Sequence, residues 1–225
     1  MKEREDRDKG TLTRQRILDA ALRLFRRKGF ERTTMRDIAA EAEMSLGAAY
    51  HYFRSKEDLL LAYYEWMQSE HERRLSLAPD ADFRARLVGM LRTKLDLLRK
   101  DRRLLAALFR DLADPASPRS VFHRKMRGLR DRSSAEFVAL CRDLPLPESL
   151  QEAAGQALWL SHLGLFLFFI HDRSAQQQRT EQLVELVGDL AALVPSLLMM
   201  PGAEGLRDRL LAFFFSEPVP QKPAS

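Results

Sequence analysis

The sequence contains a single cysteine, Cys141, among its 225 residues. One cysteine excludes an internal disulfide and any metal site built from clustered cysteines. No Gly-rich phosphate loop, metal-ligand spacing or nucleophile elbow occurs, so we expect no enzyme activity, no cofactor and no metal site. The neighbouring Arg142 would favour a reactive thiolate, but a lone cysteine at the end of an amphipathic helix is more commonly a packing residue.

Long apolar runs are also scarce. The first ten residues are charged and lack the apolar core of a secretion signal. The most apolar stretch, 157–170, has 14 residues and contains Ser161 and His162, whereas a membrane span needs roughly 20 residues. We therefore interpret it as part of a buried helix, and expect a cytoplasmic protein that makes no membrane contact.

What the chain does have is positive charge concentrated in one segment. Its 37 basic and 32 acidic residues give a net charge of +5, and 45% of the residues are hydrophobic, as in soluble globular proteins. Residues 11–56 hold ten basic and five acidic side chains, while 2–10 and 57–225 are each balanced. Such a segment is typical of a module that binds a polyanion, although a solvated basic face gives the same count.

Apolar residues at helical spacing, with no period-two runs, predict an all-α protein. The first helix should begin at Thr11 or Leu12 and end at Lys28, between disordered tails at 1–10 and 217–225. The candidate N-caps are Thr33 or Thr34, then Ser45 and then Ser55, and they open two short helices and then a long one. Further helices are expected at 82–99, 102–112, 118–141, 148–171, 180–200 and 204–215.

Two short helices that follow a longer helix and are joined by a tight turn form a helix-turn-helix. The close crossing of the short helices requires a small residue, which Ala39 supplies. The inward positions are apolar, as the fold requires: Ile38, Ala42, Met44, Ala49 and Tyr52. The second helix offers small or polar groups to a DNA groove: Ser45, Gly47, Ala48 and His51.

At these residues the chain resembles the TetR-type transcriptional regulators. The resemblance rests on 33–53, TTMRDIAAEAEMSLGAAYHYF, and on the Ser55-Lys56 pair that follows, and it covers 11–60. It implies an N-terminal three-helix DNA-binding domain, 11–56, followed by a larger helical ligand-binding and dimerisation domain, 57–216. Glu43 departs from the family, which usually has glycine there; a left-handed backbone costs a non-glycine residue roughly 1 kcal/mol, and the carboxylate lies near the DNA-facing edge.

The resemblance also implies the roles of individual residues. Thr34 would bind phosphate through its hydroxyl and amide, 45–48 would face the groove, and Tyr50, His51 and Lys56 would contact phosphates. For Tyr52 and Phe53 we favour core packing. The full set of candidate DNA-binding residues is Thr34, Arg36, Ser45, Leu46, Gly47, Ala48, Tyr50, His51 and Lys56. They carry too few long polar side chains to predict the operator sequence.

The C-terminal helices predict a dimer and an effector site. Because a helix-turn-helix protein reads a palindrome best as a two-fold dimer, we expect helices 148–171 and 180–200 to pair with their mates; burial within one chain is the alternative. The resemblance implies an effector among the middle helices. The candidate residues, each of which is also an ordinary core residue, are Trp66, Leu104, Leu108, Phe122, Met126, Phe137, Trp159, His162 and Phe166.

A second basic stretch suggests the nature of that effector. Residues 92–132 carry 13 basic and five acidic side chains. This stretch is either a solvated face or a site for a lipophilic anion such as an acyl-coenzyme A. In the second case the phosphates of the effector would lie near Arg99, Arg102, Arg103 or Arg119. The predicted function is a repressor released from a palindromic double-stranded DNA operator by a small, lipophilic effector. The alternatives are an activator of the same family and a non-specific DNA-binding structural protein.

Overall fold

The computed structural model describes residues 2–75, 81–106 and 123–215, with side chains from Lys9 onward. Within these ranges the chain is helical apart from short connections and contains no strand, which confirms the all-α fold. The helices are α1 (Lys2–Lys28), α2 (Met35–Glu41), α3 (Leu46–Tyr52), α4 (Lys56–Arg74), α5 (Phe83–Arg99), α6 (Arg127–Cys141), α7 (Glu148–His171), α8 (Gln178–Leu198) and α9 (Glu204–Phe215). A further helical segment begins at 102 and continues to the end of its described range at 106.

The described residues form two compact units. One lies within Met1–Leu75 and Thr93–Arg130, and the other within Ser76–Arg92 and Asp131–Ser225. Helix α5 contributes residues to both units. The helix-turn-helix therefore belongs to a unit that also includes α4 and the segment at 102–106.

The start of α1 differs from the prediction. Residues 2–10, which we expected to form a disordered tail, are the first turns of this helix. The segment has no apolar periodicity, but acidic residues precede basic ones by four positions at Glu3–Arg7 and Glu5–Lys9, a spacing that favours helix. The predicted tail at 217–225 lies outside the described residues.

The predicted helix at 118–141 also begins later than expected. Residues 118–122 lie outside the described range, and the backbone at His123 is extended, with φ −66° and ψ 147°. The His123 ring nitrogen accepts a hydrogen bond from the Lys125 amide at 3.2 Å. This cap opens a 3-10 turn, Arg124–Met126, and α6 follows at Arg127. A side chain that bonds its own backbone competes with the helix, and the apolar spacing gives no sign of it.

The first unit has a core built around α1. Ile17, Ala21, Leu24 and Phe25 are almost completely buried, as their helical spacing predicts, and belong to one cluster with Ile38 of α2 and with residues of α4. Helix α1 packs against α2 and α4, and α2 packs against α3. The helix-turn-helix is thereby packed against α1 through a shared core.

In the second unit, α7 packs against α8 and α9. Helix α7 has 24 residues, a mean hydropathy of 1.6 in its most apolar window, and 39% of that window buried. It is the one helix in the described part of the chain that is long and apolar enough to cross a membrane. The 14-residue length of the apolar run at 157–170 therefore does not exclude a membrane span, because the helix around it is longer. The core helix of a soluble protein meets the same criteria. Helix α7 is buried on one face only, because its Leu160 and Leu167 side chains are exposed.

Candidate nucleic-acid interface

Helix α2 begins at a complete capping box, as the sequence predicted. The Thr34 hydroxyl oxygen accepts a hydrogen bond from the Asp37 amide at 3.2 Å, and the Asp37 carboxylate accepts from the Thr34 amide at 2.8 Å. The Lys28 ammonium lies 2.8 Å from the same carboxylate. Lys28, and after it Thr34, hold the pKa of Asp37 well below its usual range. These bonds join the end of α1 to the start of α2.

The turn and the start of α3 follow the helix-turn-helix pattern. Glu43 adopts the left-handed conformation with φ 54°, and the Met44 amide donates to the Ala39 carbonyl at 3.0 Å. Ser45 caps α3 by accepting from the Ala48 amide at 3.1 Å. Ala39 of α2 and Ala49 of α3 are both buried in one core cluster, and the two short helices pack against each other. The small residue that the sequence offered for the crossing is therefore part of the buried core.

Most candidate DNA-binding residues lie on the surface. Thr34, Arg36, Ser45, Gly47, Tyr50 and His51 are exposed, whereas Leu46, Ala48 and Lys56 are half-buried. Tyr50 is 46% exposed. Tyr52 packs against the core and Phe53 is buried, as expected for both.

Lys56 has partners within the protein. Its ammonium donates to the carbonyl oxygens of Phe30 at 3.1 Å and Glu31 at 3.3 Å, and lies 4.5 Å from the centre of the Phe30 ring. These contacts hold the loop after α1 against the start of α4. Lys56 therefore has a structural role that the sequence motif did not reveal.

Ion pairs occupy several of the basic residues on α1. Arg16 pairs with Glu43 at 3.0 Å, while Arg23 and Arg27 share Glu41 at 3.1 and 3.2 Å. These two arginines hold the pKa of Glu41 below its usual value. The positive charge of 11–56 is thus partly neutralised within the unit.

Within 11–56, four exposed arginines have no ion pair with a described residue: Arg14, Arg32, Arg36 and Arg54. Arg14 lies over the Phe53 ring at 4.8 Å, and Arg32 donates to the Lys28 carbonyl at 2.8 Å. Arg36 and Arg54 make no hydrogen bond to the described residues either. The sequence motif identified Arg36 as a candidate DNA-binding residue but not Arg54. The position of Arg54 directly before the Ser55 cap could have indicated it.

Comparison with known families agrees with this geometry. Residues 17–63 match the description "Bacterial regulatory proteins, tetR family", and 86–195 match "Tetracyclin repressor-like, C-terminal domain". The chain belongs to the TetR family. The first match contains the whole helix-turn-helix, and the second extends over most of the remaining chain.

Individual relatives match this TetR-family chain over part of its length. It is 39% identical over 66 residues to the transcriptional regulator AcrR of Shigella flexneri, covering 29% of this chain and 31% of that one. It is 29% identical over 118 residues to TtgR of Pseudomonas putida, covering 52% and 51%. The matched stretches thus span about a third to half of these relatives' own lengths.

Solved TetR-family structures share the fold over most of the chain. A regulator from Syntrophomonas wolfei superposes with a TM-score of 0.64 at 18% identity, covering 85% of this chain and 98% of that one. One from Nitrosomonas europaea gives 0.63 at 21% identity, covering 80% and 97%. At these identities the likeness concerns the fold.

A buried carboxylate joins three distant segments of the first unit. Asp101 is 1% exposed and accepts hydrogen bonds from Arg26 Nε at 2.5 Å, Arg26 Nη2 at 2.9 Å and the Tyr63 hydroxyl at 2.5 Å. Burial first, and then the bond to Asp101, raise the pKa of Tyr63. The Asp101 carboxylate thus ties the start of the helical segment at 102–106 to α1 and α4.

The candidate effector residues fall in both units. In the first, Leu104 belongs to the core around α1, Trp66 stacks on Tyr63, and Met126 lines a pocket of 280 Å³ with Leu60, Leu61 and Tyr64. Leu108 and Phe122 lie outside the described residues, as does Arg119.

In the second unit four candidates form an aromatic cluster. His162 is 4% exposed, and its ring lies 4.9 Å from the centres of both Phe137 and Phe166 and 5.9 Å from that of Trp159. Its Nδ1 contacts the Trp159 carbonyl oxygen. The histidine therefore has a polar partner within α7, as the core-residue interpretation requires.

Proposed function

We propose that the chain is a sequence-specific, DNA-binding regulator of transcription, and that it acts as a repressor. The observation that carries this proposal is the capped helix α3, which presents exposed Ser45, Gly47, Tyr50 and His51. Exposed Arg36 and Arg54 lie before and after it in the chain, and neither makes an ion pair or a hydrogen bond with a described residue. A recognition helix needs small groups where it approaches the bases and cationic or hydroxyl groups where it meets phosphates.

The roles proposed for the residues follow from their surroundings. Gly47 allows the backbone of α3 to approach the groove, and Tyr50 and His51 bind phosphate on one side of it. Arg36 and Arg54 neutralise phosphates, since neither is engaged elsewhere in the described part of the chain. Because Lys56 is bonded to the Phe30 and Glu31 carbonyls, it positions α4 rather than binding DNA.

The dimer that we propose uses an exposed apolar stripe. Leu186, Leu190, Leu193 and Leu197 lie at helical spacing on α8, and each is at least half exposed. Exposed Leu160 and Leu167 on α7 belong to the same unit. Since a monomer rarely exposes a contiguous apolar patch of this kind, a second copy is the proposed occupant. In such a dimer the two recognition helices would lie about 34 Å apart, which is the distance between successive major grooves on one side of the DNA.

Sedimentation of a charge-introducing variant tests the dimer. L190E/L193E is expected to be monomeric at concentrations where the wild type is dimeric, because the partner would have to bury two carboxylates. L12E, which charges an exposed leucine of the first unit, is the control and should remain dimeric. Dimeric L190E/L193E would contradict this interface.

We further propose that a small, lipophilic effector relieves repression. The aromatic cluster around His162, within the second unit, supplies the apolar side chains that would contact such an effector. An effector that prefers a conformation with low operator affinity releases DNA by its differential binding energy. Titration with an acyl-coenzyme A and with the free fatty acid tests this step; an unchanged DNA affinity in both would contradict it.

The DNA-binding proposal itself is tested by selection from a pool of random duplexes. The wild type is expected to enrich a palindrome. R36Q and R54Q are expected to bind it more weakly, with a log–log salt dependence shallower by about 0.9 for each phosphate that the variant no longer neutralises. R73Q, which changes an exposed arginine that pairs with Glu70 on α4, is the control. Enrichment of no motif would contradict sequence-specific binding.

A further inference from the structure

The turn of the helix-turn-helix carries a carboxylate where its geometry favours glycine. Glu43 has φ 54°, and its side chain is 85% exposed. Its Oε2 accepts a hydrogen bond from Arg16 Nη2 at 3.0 Å, and the Arg16 side chain is itself 52% exposed. The arginine of α1 is thereby held beside the turn that leads into the recognition helix.

Stability does not account for a glutamate at this position. The left-handed conformation is unfavourable for any residue with a Cβ, and an exposed ion pair contributes little to folding. Unlike Glu41, which bridges Arg23 and Arg27, Glu43 pairs with Arg16 alone among the described residues. Its charge acts locally, two residues before the Ser45 cap of α3.

We propose that Glu43 lowers the affinity for DNA by retaining the Arg16 guanidinium, which would otherwise bind a backbone phosphate. This inference rests on the proposed DNA-binding function and adds a residue pair that sets its strength. In a helix-turn-helix the start of the recognition helix enters the groove, so the turn before it lies close to the phosphates. An Arg16 side chain that is free of Glu43 can bind a phosphate there. An Arg16 side chain that is paired with Glu43 presents no net charge to the DNA.

The consequence is a measurable change in salt dependence. In E43Q the side chain keeps its size and its left-handed backbone but loses its charge, which frees Arg16. One added phosphate contact steepens the log–log salt dependence by about 0.9, so the affinity of E43Q should fall about 3.5-fold more than that of the wild type between 50 and 200 mM salt. At low salt E43Q should bind more tightly than the wild type.

The experiment is a double-mutant cycle on the full chain. Fluorescence anisotropy with a 30-base-pair mixed-sequence duplex would compare wild type, E43Q, R16Q and R16Q/E43Q across that salt range. We expect tighter, steeper binding by E43Q, and binding by R16Q/E43Q that equals binding by R16Q. E152Q, which removes an exposed carboxylate from α7, is the control for net charge.

Two results would overturn the inference. If E43Q gains affinity equally with and without Arg16, Glu43 repels DNA directly and does not act through the arginine. If E43Q binds like the wild type, the pair has no effect on affinity. Wild-type protein that shows no salt-dependent binding to any duplex would instead contradict the proposed function itself, so the two failures are distinguishable.

Discussion

Replacing Arg26 by methionine is expected to destabilise the protein substantially, because it leaves the Asp101 carboxylate buried with one donor. Asp101 is 1% exposed and receives both hydrogen bonds of the Arg26 fork. Removing one partner of a buried ion pair costs about 3–5 kcal/mol. The Arg26 side chain is 36% exposed, so we expect the lower end of that range. Methionine keeps the apolar stem and limits the effect to the missing charge and donors.

The same site offers internal comparisons. Y63F removes the remaining hydroxyl donor and should cost about 1.5 kcal/mol. R26M/D101N removes both charges and should recover most of the stability that R26M forfeits, since neutral groups no longer require ionic partners. Urea unfolding followed by far-ultraviolet circular dichroism measures all three. A destabilisation below about 0.5 kcal/mol in R26M, or a double variant no more stable than R26M, would refute the reasoning.

Three further predictions concern the packing, the thiol and the turn. A Cβ at Gly155 would lie 2.5 Å from Val138 Cα, so G155A should lose about 1–3 kcal/mol in urea unfolding, whereas G89A, with open space around its Cβ, should gain roughly 0.5–1 kcal/mol; equal stabilities would count against this packing. Burial raises the pKa of Cys141 to about 12, so the native thiol should resist a disulfide reagent at pH 8 until the protein unfolds, and rapid labelling would contradict its burial. E43G should raise the unfolding free energy by roughly 1 kcal/mol through relief of the left-handed backbone while E43Q should not, and equal effects would show that strain at the turn is negligible.

Much of the helix-turn-helix was predictable because its determinants are local. Thr34, Ser45 and Ser55 each cap a helix through a backbone amide three residues ahead, and that relation is visible in a short window of sequence. The start of α1 was not predicted, because no apolar spacing marks the helix over 2–10.

The sequence did not reveal contacts of the site that join residues far apart along the chain. Arg26 and Asp101 are 75 positions apart, and no spacing rule links them. The motif also marked Lys56 as a phosphate ligand, whereas the fold brings the Phe30 and Glu31 carbonyls to its ammonium. A basic segment predicts the sign of its partner, but only the structure separates the arginines that are engaged from those that are not.

Footprinting on the DNA upstream of the gene for this protein tests the central claim most directly. A dimeric regulator should protect a discrete, palindromic stretch whose half-sites lie about one helical turn apart, and protection should weaken as salt is raised. Continuous protection along the duplex, or none at any protein concentration, would contradict the account.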